Sequence, residues 1–281
     1  MEARDESPRA EPHPRPSTAR LLLAELLAAL RQRRWRERRR GFAALTPEQV
    51  GWLRSVETKG FAVIEGYLAG EECERLCGEM EQLLVRYEKR VQRNSGGADE
   101  RLLGIDRVSP GYRAFWESPR LRLLCQSYAG SDRNLGFTMA NRIRATPGNL
   151  GSGSGWHRDS AQRRRFKAIV YLNDVDSENG PLQYWRGSHR TGNRLVTSLR
   201  LRTSWYQNRF DDGSYDRFFE TSGGIETLAA PRGSLILVDP TGIHRGKPLA
   251  RGVRYAMTNY YLDHPIPADW PVLDEAIRSG T

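Results

Sequence analysis

His157 and Asp159 stand two residues apart in WHRDS, and His244 follows far downstream in DPTGIHRGKP. Residues i and i+2 of a β-strand share a face. The first imidazole and the carboxylate can therefore reach one cation together. His244 comes after GSLILVDP, which reads as a buried strand and turn, and it is the third candidate ligand. Two imidazoles and one carboxylate on one face of an octahedron leave three positions open, the arrangement of non-haem Fe(II) oxygenases. Catalytic zinc uses the same kinds of ligand. Arg254, in GVRYAMTNYYL, lies at strand distance beyond His244. An α-keto acid bound to Fe(II) through its keto and C1 carboxylate oxygens would present a second carboxylate, which a guanidinium fork holds bidentately.

The elements needed to bring these residues together are readable in outline. LTPEQVGWLRSVETKG carries Thr46 as N-cap, Pro47 at the first helical position and Gly60 past the end. FAVIEGYL follows as a short apolar strand. GEECERLCGEMEQLLVRYEKRVQ then has helical periodicity, with Cys73, Leu76, Cys77, Met80, Leu83, Leu84 and Tyr87 along one face. SPGYRAFWESPRLRLLCQSYAG holds two shorter helices. After Gly130 short β-branched and aromatic segments alternate with Gly, Asn and Asp turns, and strands are expected near 136–145, 153–159, 166–173, 182–186, 226–230, 234–238, 242–246 and 254–262. Helices first and about eight strands after predict an α+β fold with a mainly β core: a jelly roll backed by N-terminal helices. The expected organisation is a basic, partly disordered extension over 1–44 and one catalytic domain over 45–281. In that domain helices occupy 45–130, the jelly roll 131–265, and a lid-like insertion 201–224.

The chain of 281 residues is 38% hydrophobic and 28% charged, with a net charge of +10. That balance still allows a packed core and favours anionic partners. Part of the excess is local: RQRRWRERRR, from Arg31 to Arg40, holds seven Arg against one Glu. Residues 1–19 are too poor in apolar side chains to order themselves, and Ser17 or Thr18 would cap a helix over 20–40. Its apolar run, Leu21–Leu30, is too short to span a bilayer and contains Glu25. The segment could dock on an anionic membrane surface. Three cysteines make no even disulfide framework. The expectation is a cytoplasmic protein, peripheral at most to the inner membrane surface, with no specific nucleic-acid partner.

WHRDS, FKAIVYLNDVDSENGPLQYWRGSHR, DPTGIHRGKP and RGVRYAMTNYYL, in that order, resemble the phytanoyl-CoA dioxygenase family over roughly residues 55–265. The resemblance implies a double-stranded β-helix that uses Fe(II), with 2-oxoglutarate and O₂ as co-substrates. It implies that His157, Asp159 and His244 are iron ligands and that Arg254 anchors 2-oxoglutarate. His189 then belongs to the Gly-Ser-His loop and not to the metal. Departures from the family matter. Some relatives carry a hydroxyl residue two positions after the distal histidine, where Gly246 stands here, so another group must assist. Halogenating relatives lack the carboxylate that Asp159 supplies, which favours hydroxylation. Nucleic-acid repair relatives have an arginine where Tyr260 stands, which argues against base demethylation.

Substrate contacts are read from two stretches. In FTMANRIRA, Phe137, Met139, Asn141 and Ile143 make the more apolar face and are expected under the helices. Thr138, Ala140, Arg142 and Arg144 are then expected at the barrel mouth, with Arg144 helping to bind 2-oxoglutarate and Arg142 facing the substrate. In the 201–224 insertion, Trp205, Tyr206 and Tyr215 could stack on a flat or sugar-like ligand, or form the loop's own small core. Arg163–Arg165 add charge beside the entrance. The expected substrate is a polar or anionic small molecule, of a sugar-containing, phosphorylated or lipid-linked kind. The competing reading is a non-catalytic jelly roll that binds an anionic glycan or polyanion, and the intact ligand set with its anchor speaks against it. A third, nucleic-acid binding through the Arg cluster, would involve only the extension.

Overall fold

The computed structural model describes Leu23, Leu26 and the residues from 45 to 274, except 95, 130–134, 160–164, 202, 204–206, 211–214, 216, 219–223 and 263–264. The chain divides into two compact units, Met1–Phe42 and Ala43–Thr281. The extension, with its proposed membrane contact, otherwise lies outside the described residues. Among those residues no helix is long and apolar enough to cross a membrane.

Helix α1, Pro47–Lys59, begins with a capping box: the Gln49 amide donates to Thr46 Oγ1 at 3.3 Å, and the Thr46 amide to Gln49 Oε1 at 2.9 Å. It ends at Gly60, whose φ of 103° leads directly into strand β1, Phe61–Ile64. Helix α2, Gly70–Arg86, buries Cys73, Leu76, Met80, Leu83 and Leu84, the face that its periodicity predicts. Two short strands follow, β2 (Gln92–Arg93) and β3 (Asp99–Leu103). Helices α3, Pro110–Trp116, and α4, Pro119–Ala129, come next, each with proline in its first turn.

The remaining strands are β4 (Leu135–Arg144), β5 (Trp156–His157), β6 (Phe166–Tyr171), β7 (Leu182–Trp185), β8 (Arg209–Phe210), β9 (Ile225–Leu228), β10 (Leu235–Val238), β11 (His244–Gly246) and β12 (Val253–Leu262). They form two antiparallel sheets. The major sheet has seven strands in the order β1-β10-β6-β12-β4-β3-β2, and the minor sheet five in the order β8-β5-β11-β7-β9. This is the expected jelly roll. The alternation of side chains along each strand gives the major sheet two faces. Ala140, Phe166, Ala168, Val170, Leu235, Leu237 and Met257 pack under the helices against Leu76, Met80, Tyr112 and Leu124. Truncating one such leucine, Leu76→Ala, would cost about 2–5 kcal/mol. The opposite face looks toward the minor sheet, where Tyr171, Leu182, Tyr184, Ile236, Val238 and Ala256 form a second cluster.

Three differences from the sequence reading bear on the site. Besides the expected strand β1, the helical segment also supplies β2 and β3 to the major sheet. Helix α5, Thr191–Arg200, stands in a stretch for which no helix is expected; it buries Arg194, Thr197 and Ser198 while Val196 and Leu199 are exposed, so its periodicity is inverted. The faces of β4 are also exchanged. Small side chains at Thr138 and Ala140 let the helices approach, while Met139 and Asn141 line the cavity between the sheets. Arg142 can face the helices because it is ion-paired to Glu81 of α2 and to Glu100 of β3.

Candidate active site

β5 and β11 pair antiparallel with His157 directly opposite His244. Their ring centroids are 4.4 Å apart. The chain leaving β5 carries Asp159, whose amide donates to Pro240 O at 2.9 Å and so ties it to the approach of β11. Asp159 Oδ1 lies 3.7 Å from His157 Nε2 and 3.8 Å from His244 Nε2. One ligand atom from each of the three residues falls within 4.8 Å of the others. Residues 87 positions apart in sequence thus converge through one strand pair.

Both imidazoles are oriented by backbone carbonyls. His157 Nδ1 lies 3.0 Å from Gly155 O, and His244 Nδ1 lies 2.9 Å from Gly242 O. A neutral ring that donates from Nδ1 presents the Nε2 lone pair, the state a metal ligand needs. Burial keeps both rings neutral by holding their pKa below the ordinary histidine value; for His157 the neighbouring His244 adds to it, and Asp159 opposes it at both. Burial alone would raise Asp159, yet the Lys167 ammonium foremost holds its carboxyl well below the usual carboxylate range. Two neutral nitrogens and one ionised oxygen, with no thiolate, suit iron(II).

The glycines of GSGSGWHRDS are close-approach positions. A Cβ on Gly153, where φ is +82°, would lie 2.0 Å from His157 Cε1, and one on Gly151, where φ is +73°, would lie 2.1 Å from Gly246 O. Ser152 between them fills the space beside Gly246, where a side chain's Cβ would come within 2.7 Å of the serine Cβ. The Gly-Ser-His loop supports β11 from behind: Ser188 Oγ accepts from the Ile243 amide at 2.7 Å. Tyr184 stacks on His244 at 6.1 Å and donates to Asp239 O at 2.8 Å. His189 Nε2 lies 3.0 Å from Glu57 O, and His189 is not in the cluster of His157, Asp159 and His244.

A cavity of about 180 Å³ opens between the sheets at this cluster. Arg254, 5% exposed, lines it from β12. Its guanidinium donates to Gly180 O and, at 3.0 Å, to Asn141 Oδ1, while Nε is buried without a hydrogen-bond partner. Ile169, Leu182 and Val238 supply apolar wall. Arg142 and Arg144 do not line the cavity. Arg142 is neutralised on the helix side, and Arg144, exposed at the strand end, lies 3.7 Å from Glu100. They stand on the opposite face of β4 from Met139 and Asn141, which line the cavity, and not at the barrel mouth where the sequence pattern puts them. Trp205, Tyr206, Arg163 and Arg164 lie outside the described residues. Tyr215 packs edge-on against Phe210 at 5.6 Å, beside Trp156 and Ile243, the small-core alternative for that loop.

Among the lining residues absent from the sequence reading are Arg101, Asn141 in its cavity role, Lys167 and Arg209. Lys167 Nζ lies 2.5 Å from Asp159 Oδ2. Arg101, on β3, is paired with Asp99 and stands opposite Asn141. Parity carried a signal for Lys167, since Lys167, Ile169 and Tyr171 alternate with Phe166, Ala168 and Val170.

Comparison with known proteins agrees with this geometry. Residues 56–252 match the sequence profile of the phytanoyl-CoA dioxygenase family. An ectoine dioxygenase from Bordetella bronchiseptica is 24% identical over 220 residues, covering 72% of this chain and 70% of the relative. The non-haem epimerase SnoN of nogalamycin biosynthesis, solved with Fe3+, α-ketoglutarate and nogalamycin RO, aligns with a TM-score of 0.59 at 18% identity, over 77% of this chain and 84% of that one. HygX from Streptomyces hygroscopicus, solved with nickel and 2-oxoglutarate, aligns with a TM-score of 0.57 at 19% identity, over 82% of this chain and 96% of that one. Both structures share the fold.

Proposed function

The chain belongs to the phytanoyl-CoA dioxygenase family, and from that premise we propose that it oxidises an unactivated C–H bond of a polar or anionic small molecule at the cavity between its sheets. It is a non-haem iron, 2-oxoglutarate-dependent dioxygenase. In this reading His157, Asp159 and His244 hold the iron, and Arg254 binds the far carboxylate of 2-oxoglutarate. The observation that carries it is the meeting of three candidate ligand atoms within 4.8 Å in a cavity also lined by Arg254.

Bound iron, with 2-oxoglutarate and O₂, supplies the oxidising power for hydrogen removal, at the cost of decarboxylating 2-oxoglutarate to succinate. The protein's share is positioning. The Gly155 and Gly242 carbonyls fix which nitrogen each imidazole offers. Asn141 and Gly180 hold the Arg254 fork in place before any ligand arrives. Ser152, which packs beside Gly246 and lines the cavity, is the candidate to replace the hydroxyl residue that some relatives carry two positions after the histidine. The apolar wall keeps water from the reacting bond.

The substrate reading rests on charge. Among the described residues, Arg101, Lys167, Arg209 and Arg254 line the cavity; Asp99 pairs with Arg101 and Asp159 with Lys167, which leaves the charges of Arg209 and Arg254. Iron and 2-oxoglutarate bring opposite charges of equal size, so the basic excess remains for the substrate. The phosphorylated character is part of the same proposal, because a phosphate matches arginine forks. The test is iron-dependent succinate release by the full chain with a panel of acidic and neutral small molecules. Acidic compounds should stimulate 2-oxoglutarate turnover most, and turnover should vanish in His157→Ala and Arg254→Ala. Turnover surviving in both variants would refute the site assignment, and stimulation confined to neutral compounds would refute the substrate class.

A further inference from the structure

Lys167 is a cation placed in the interior. It is 8% exposed, and lysine is almost never buried unless paired. Its partner is the carboxylate of the ligand cluster, and the two oxygens of that carboxylate have separate environments. Oδ1 faces the Nε2 atoms of His157 and His244, at 3.7 and 3.8 Å, while Oδ2 is held by Lys167 Nζ at 2.5 Å. On its other side the ammonium sits 4.0 Å from the centroid of the Tyr260 ring, and Tyr260 stacks on Phe137 at 5.4 Å with 16° between planes. Lys167 and Tyr260 are register partners across β6 and β12, so backbone pairing fixes the contact. The cluster is also separate from the Arg254 anchor, which stands six residues earlier on β12, roughly 20 Å along an extended strand.

We propose that Lys167 is a positioning residue for the metal carboxylate: it engages Oδ2, restricts Asp159 to ligation through one oxygen, and keeps open the positions that 2-oxoglutarate enters. The inference rests on the reading of His157, Asp159 and His244 as iron ligands. A carboxylate free at both oxygens can bind a cation through one or through both. Binding through both would occupy a position that a bidentate co-substrate requires. Outer partners that orient a ligand in this way are a general feature of metal sites. A lysine suits the task, since its compact ammonium can donate to the carboxylate and still lie against the aromatic face.

Cobalt(II), added to the full-length protein as a redox-silent probe, tests the proposal without turnover. Visible absorption reports the coordination of the metal, and titration with 2-oxoglutarate reports the open positions. Lys167→Met should still bind cobalt. Its absorption should differ from wild type before 2-oxoglutarate is added, and its 2-oxoglutarate dissociation constant should rise about tenfold, the scale on which outer partners act. Lys167→Arg, which keeps a cationic donor for Oδ2, should recover most of both properties. Should methionine prevent folding, as judged by thermal melting, Lys167→Gln carries the same expectation. A folded Met or Gln variant with wild-type absorption and wild-type 2-oxoglutarate affinity overturns the proposal. Equal cobalt binding by wild type and a His157→Ala/His244→Ala double variant would instead remove the metal site itself, and the role of Lys167 with it.

Discussion

The two sheets meet at the cavity with different parts. The major sheet brings long, well-paired strands, among them β4 and β12 at ten residues each, and its long side chains, Arg101, Asn141, Lys167 and Arg254, reach across the gap. The minor sheet brings the histidines on strands of two and three residues. Strands that short have little ladder to hold them. Their placement comes from loops in near-contact: Gly151 on Gly246, Gly153 on the His157 ring, and the Ser188 hydroxyl on the Ile243 amide. The lesson is that the reach of a side chain is set by the regular sheet, whereas the placement of the two histidines is set by irregular backbone. Metal binding should therefore be most sensitive to loop glycines, and co-substrate binding to the long strands.

Substitutions can break this contrast. The largest effect should come from Gly153→Ala. The methyl group meets the His157 ring, and a non-glycine residue at this φ carries about 1–3 kcal/mol of strain besides. Iron binding, followed by calorimetry, should be lost while the far-UV circular dichroism stays native; wild-type iron affinity would show that the loop does not place the histidine. Next in size is Arg254→Met on the major sheet. It should weaken 2-oxoglutarate binding by about 2–5 kcal/mol, the scale of a lost buried charge partner, and leave iron affinity unchanged.

Arg142→Met probes the reverse face of β4. Glu100 would lose its strongest partner, although Arg93 and Arg144 remain near it. The expected loss is about 1.5–3 kcal/mol of folding stability in a urea titration, with 2-oxoglutarate affinity intact. A selective loss of substrate or 2-oxoglutarate binding would restore Arg142 to the cavity. The smallest effect should follow removal of residues 1–44, if the catalytic unit stands alone: a stability change within about 0.5 kcal/mol and unchanged 2-oxoglutarate turnover.

The candidate ligand set was legible because its signal is local: His157 and Asp159 stand two residues apart, and His244 follows a recognisable apolar strand, although Asp159 lies just past the end of β5 and is placed by its bond to Pro240 O. The jelly roll was legible because its strands recur between turn residues. What escaped depends on pairing across distance. Arg101 lies on a strand within a stretch read as helical, and β3 joins the sheet only through β4, some 40 residues later. Lys167 sits in the apolar run FKAIVYL, and its inward orientation makes sense only once β5 and the following turn deliver Asp159. On β4 apolarity does not mark the helix side, so the two faces are exchanged relative to the sequence pattern. Close helix packing instead selected the small Thr138 and Ala140, and ion pairs from α2 and β3 accommodated Arg142. Helix α5 was missed for a related reason: its buried face is polar and its exposed face apolar.

The central claim is that two imidazoles and one carboxylate form a single iron site that is completed by 2-oxoglutarate. Anaerobic titration of the full-length protein with Fe(II), followed by 2-oxoglutarate, tests it most directly. The account predicts one iron per chain, then one 2-oxoglutarate whose binding requires that iron, with the first step abolished in a His157→Ala/His244→Ala variant. Undiminished iron binding by that variant, or tight 2-oxoglutarate binding without metal, would contradict it.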